Sequence, residues 1–153
     1  MKHLSLLLVL FLFTLAFGGV LPDTTKTPGD TVGNVMLMEL CNPDFLIGQP
    51  ISSTTRATVL KRYGLTEATS YPYILDLLIP CNLGGSSEVK NVWPQPRKGD
   101  WSYWKKNELE KKLNYLVCNA KLSVKEARHI IVSDWITAYK VFVLQDTTVH
   151  FYY

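Results

Sequence analysis

The chain contains no Cys-x-x-Cys pair, no glycine-rich phosphate loop, no serine-centred elbow and no internal repeat. Those absences remove dithiol redox enzymes, P-loop nucleotide hydrolases, α/β-hydrolases and solenoids from consideration. Histidine is scarce as well, His3, His129 and His150 being the only three, so few imidazoles exist to serve as a base near neutral pH. Three cysteines allow one disulfide with one sulfur left over, and spacing alone does not choose the pair. Net charge is only +3 with histidine neutral, but between Gly85 and Arg128 basic residues outnumber acidic ones roughly two to one. Such a segment suits either phosphate contacts or a pair of helices with lysine-rich outer faces. No apolar run reaches the roughly 20 residues of a membrane-spanning helix.

What is present is enough for one domain with a real core: 153 residues, 47% of them hydrophobic. Lys2 and the apolar stretch Leu4 to Phe17 have the form of a secretory signal over residues 1–18, with small residues around Ala16-Phe17-Gly18 for cleavage. A signal anchor is the rival reading, disfavoured by Gly18, Gly19 and Pro22. Cleavage leaves an extracellular chain with no membrane segment, in a compartment where disulfides persist. Residues 19–37, rich in Thr, Asp, Pro and Gly, read as a flexible leader. Val35 to Leu40 is an apolar run suited to an edge strand or a buried segment, and Asn42 to Pro50 is a loop anchored by Phe45 and Ile47.

Ser52 or Ser53 caps a helix through Tyr63, which Gly64 stops. Tyr73 to Ile79 reads as a strand closed by Pro80, whereas the two prolines in Asn91 to Pro96 argue against an ordinary strand there, with Trp93 as a core anchor. A helix is expected from Asp100 to Val117, with Leu109, Leu113, Leu116 and Val117 on one face. Lys106 projects toward that buried side and lies four residues from Glu110, close enough to pair with it. After a break at Asn119-Ala120-Lys121, Ser123 and Glu126 form a capping box. The helix it opens carries Val124, Ala127, Ile130, Ile131, Trp135, Ala138 and Phe142 on one stripe. Residues 143–153 form a β-prone aromatic tail.

Asp76 is the anomaly, an ionisable carboxyl inside Tyr-Ile-Leu-Asp-Leu-Leu-Ile-Pro. Burying its ionised form costs several kcal/mol unless a cation or several donors compensate. A metal ion is one such partner, and the backbone N–H groups of the Gly84-Gly85 turn are another.

The order Asp-x-Leu-Ile-Pro-x-x-Leu-Gly-Gly, a short polar link and Asn-x-Trp-Pro-x-Pro resembles the core of secreted HNH-type endonuclease-like proteins, the group with a ββα-metal finger. The resemblance covers roughly Met38 to Tyr139 and includes the Asp134-Trp135 and Ala138-Tyr139 pairs. It implies an α+β fold: a small finger with flanking helices over residues 38–142, closed by the C-terminal helix. It also implies a Cys41–Cys118 disulfide, with Cys81 as a small buried side chain. Asp76 then matches the first ligand of a divalent ion (Mg, Mn or Zn), Asn91 the central Asn, and Asn107 with Lys106 the contacts supplied by the finger's helix. Arg97, Lys98, Lys105 and Lys106 are the corresponding candidates for nucleic-acid phosphates.

Two departures from the pattern argue against hydrolysis. The family's general-base His is Leu77 here, which accepts no proton, and Asp44, Leu46 and Gln49 stand near positions where related loops carry Gly, Thr and Arg. His3 leaves with the signal, His129 suits packing or surface, and His150 lies in the tail. Three functions follow as expectations: a catalytically degenerate nuclease-like protein with residual metal or nucleic-acid binding, an active metal-dependent phosphodiesterase with an unconventional base, and a secreted module that binds an unknown protein partner.

Overall fold

The computed structural model describes residues 20–42, 44 and 50–151, which form four α-helices and a two-stranded antiparallel sheet, an α+β arrangement. The expected signal segment and the loop positions Phe45, Leu46, Ile47 and Gln49 lie outside the described residues. The first helix, α1, spans Leu37–Leu40, where an edge strand or buried segment was expected; Glu39 closes it by accepting the Met36 N–H. Helix α2 spans Ser53–Arg62, capped by Ser52 and ended at Gly64, whose φ of +69° suits a residue without a side chain. Strands β1 (Tyr73–Leu77) and β2 (Val92–Pro96) follow, joined through a 3-10 turn at Cys81–Leu83. Helices α3 (Tyr103–Cys118) and α4 (Val124–Phe142) complete the order.

Contrary to the sequence expectation, Val92 to Pro96 is a strand. Tyr73 pairs with Pro96, Leu75 with Pro94 and Asp76 with Trp93. Bonds from Leu78 N–H to Asn91 O (2.7 Å) and from Arg97 N–H to Pro72 O (2.9 Å) bracket the ladder. Hydrogen-bonded pairs alternate with non-bonded ones in an antiparallel ladder, so Pro94 and Pro96 fall where the backbone nitrogen points away from β1 and no donor is required.

The core lies between α3 and α4. Leu109, Leu113 and Val117 meet Ala127, Ile130, Ile131, Trp135 and Ala138, with Ile79 and Leu83 filling in from the β1 side. Each fully buried aliphatic chain contributes about 1.5–3 kcal/mol relative to exposure. The capping box of α4 forms as its sequence implies. A kink interrupts the helix at Asp134 (φ −163°, ψ 93°), whose carboxylate accepts the N–H groups of Ile136 and Thr137 and so starts the second half like a fresh cap.

Residues 20–33 are bound down and do not form a free leader. Thr27 is fully buried and donates to Val92 O, Gly29 N–H donates to Lys90 O, and Val32 N–H donates to Gly84 O. Asp30 accepts from the Ser86 hydroxyl (2.6 Å), and Trp135 Nε1 donates to Val20 O. Their polar side chains and backbone groups satisfy the loop before β2, a use that composition does not disclose.

One row of α3 fastens three parts of the molecule in succession. Lys106 reaches the end of β1, and Asn114 donates to Leu40 O and Asn82 O. Cys118 then bonds Cys41, with 5.6 Å between Cα atoms.

Candidate functional site

The site grows from the last two residues of β1. Strand alternation sends Asp76 and its cross-strand neighbour Trp93 to one face and Leu77 to the other. Helix α3 packs so that Lys106, fully buried on its first turns, points its ammonium at that strand end. Nζ donates to Asp76 Oδ2 at 2.8 Å, to Leu77 O at 2.5 Å and to Glu110 Oε1. A lysine ammonium has three donors, and three oxygens receive them, so the charge is buried with no donor left over.

The anomaly of Asp76 is therefore answered by a cation from the chain itself. The Gly84 and Gly85 N–H groups, the other expected partners, donate instead to Cys81 O and Pro80 O. Gly85 is obligatory there, because a β-carbon would collide with the Ile79 carbonyl.

Electrostatics follow from one cation between two carboxylates. Burial works against the Lys106 ammonium, but the charges of Asp76 and Glu110 outweigh it and raise its pKa. Burial raises the Glu110 carboxyl to about 7 against the pull of Lys106, and the Asp76 charge adds to the rise. Burial, with the Glu110 charge behind it, also raises the Cys81 thiol, which keeps it protonated and poorly nucleophilic at neutral pH.

A group whose folded pKa lies above its unfolded value favours the fold most when protonated. The contribution of Glu110 is thus full below about 4.5 and lost as pH rises through about 7. Across that window wild-type stability is expected to fall relative to Glu110→Gln, by up to about 1.4 kcal/mol per pH unit. Urea unfolding of both proteins from pH 4.5 to 7.5 measures this, and a pH-independent difference would refute it.

The other expected site residues fall into distinct roles. Asn91 is fully buried and locks the loop: Oδ1 accepts from Ile79 N–H (2.9 Å) and Asp30 N–H, and Nδ2 donates to Ile79 O and Ser86 O. Asn107 is half-buried beside Lys106 and makes none of the hydrogen bonds of the triad. Lys106, expected at a phosphate, is not at the surface at all. Lys105 donates to the Tyr139 hydroxyl at 3.1 Å, a bond that raises its pKa, and Tyr139 in turn donates to Glu108. Arg97 is exposed, with Nε donating to Tyr71 O, and Lys98 is exposed beside it. His129 stands exposed on α4, 3.4 Å from the Ser133 hydroxyl.

A divalent ion does not fit this arrangement. Oδ2 of Asp76 already faces an ammonium at 2.8 Å, and both polar atoms of the Asn91 amide serve the backbone. Among the described residues no group of three or more His, Cys, Asp and Glu is gathered to hold a metal. The Asp76–Lys106 pairing escaped the sequence reading although both halves were visible in it, a carboxyl in an apolar strand and a lysine on the core side of a helix. No family model, curated protein or solved structure matches this chain.

Proposed function

We propose that this chain is a secreted nuclease-like protein that has lost hydrolysis and keeps a surface for phosphate-bearing polymers. The observation that carries the reading is the step from Asp76 to Leu77 at the end of β1. The carboxylate is neutralised by Lys106, and the neighbouring position, where the resemblance expects a base, bears a hydrocarbon. The order β1, glycine turn, β2, α3 supports the ββα comparison. The Cys41–Cys118 disulfide agrees with an oxidising compartment, and no helix among the described residues is long and apolar enough to cross a membrane. Just past β2, Arg97 and Lys98 are exposed, Arg97 bonded to the backbone of Tyr71, whose ring is 84% exposed, and at the start of α3 Lys105 follows the exposed ring of Trp104 (62%). Cations that meet phosphates and rings that stack on bases are the usual means of holding single strands.

Purified protein with Mg, Mn or Zn ions is expected not to nick plasmid DNA above background, while its affinity for an oligonucleotide falls steeply with salt. Leu77→His, assayed alongside, tests whether a base alone restores nicking; no gain is expected while Lys106 holds Asp76. Salt-insensitive binding, or nicking by the wild type, would sink the proposal.

A further inference from the structure

We propose that the space between the end of β1 and the first turns of α3 is a cation site whose resident cation is the Lys106 ammonium, and that it takes a divalent ion once that ammonium is removed. Asp76 Oδ2, Leu77 O and Glu110 Oε1 converge on the single nitrogen. Two carboxylates and a backbone carbonyl are the hard oxygen donors that Mg and Ca ions prefer. The two elements that carry them are fixed independently of the lysine: β1 by its ladder with β2, and α3 by the buried Leu109 and Leu113 and by the Cys118 bond. Removing the side chain therefore leaves the oxygens gathered, with a net charge of up to −2, around the space that the fully buried ammonium occupied. While Lys106 is present, its positive charge repels a second cation from the same oxygens. This inference rests on the triad alone and holds whether or not the chain is nuclease-like.

Terbium(III) is a suitable probe, because Trp93 pairs with Asp76 across the sheet and its ring can sensitise emission from an ion held there. Wild type, Lys106→Ala and Lys106→Ala/Asp76→Asn would be titrated with terbium, then by calorimetry with Mg and Ca ions. The wild type is expected to show no saturable emission. Lys106→Ala should gain one site that binds at least tenfold more tightly than any wild-type background, and the double variant should lose it. Methylammonium, which restores a small organic cation, should raise the melting temperature of Lys106→Ala and leave that of the wild type unchanged. One equivalent of ion bound by the wild type and lost in Asp76→Asn would overturn the proposal, as would a folded Lys106→Ala that binds nothing. Should Lys106→Ala be unfolded in chelator, refolding on addition of Ca ions or methylammonium supports the site, and failure with both refutes it.

Discussion

Lys106→Met is expected to cost about 3–5 kcal/mol of folding stability at pH 7.5, the penalty of breaking a buried ion pair from one side. The methionine fills much of the volume, so little of the loss comes from a cavity. What remains is Asp76 beside Glu110 without a cation, and the strand-end carbonyl of Leu77 without its donor. Against a typical total of 5–15 kcal/mol, that is enough to leave a large unfolded fraction. Part of the loss should return at pH 5, where Glu110 is neutral, and a Lys106→Met/Asp76→Asn pair should lose less than Lys106→Met alone. Lys106→Arg is not expected to rescue, because a planar five-donor fork does not match three oxygens converging on a point. Denaturant titrations at the two pH values provide the measurement. A cost below about 1 kcal/mol at pH 7.5 would mean that the triad is solvated and contributes little.

Cutting the Cys41–Cys118 bond is expected to cost about 4 kcal/mol, whether by reduction or by Cys118→Ser. The sequence separation is 77 residues, and the stabilisation from restricting the unfolded chain grows with the logarithm of the loop. The native geometry should survive the loss, since Asn114, one turn earlier on α3, still holds Leu40 O beside Cys41. A lower urea midpoint with an unchanged far-ultraviolet spectrum is therefore the expected signature, and an unchanged midpoint would contradict it.

Elements with local causes were legible in the sequence. Helix α4 announced itself through Ser123, Glu126 and a 3.6-residue stripe, and α2 through Ser52 and Gly64, because caps and periodicity act within a few residues. The kink at Asp134 was not legible, since an internal aspartate has the same side chain whether it faces water or caps a second segment. Strand β2 was missed because the rule against proline concerns a missing donor, and only the register decides whether the donor was needed. The bound segment 20–33 was missed because its partners lie in a loop some sixty residues away, as the Asp30–Ser86 and Asp30–Asn91 bonds show. In the site, Lys106 and Glu110 could be paired by helical spacing. Asp76 lies thirty residues earlier on another element, and nothing local joins it to them.

The two prolines of β2 turn their nitrogens away from β1, toward an edge that the chain itself covers: Pro94 is buried and Val92 O accepts from Thr27. A strand edge recruits another strand through free N–H groups, and at positions 94 and 96 this one has none to offer. Strand addition on that side is thereby closed twice, by the missing donors and by the segment lying over it.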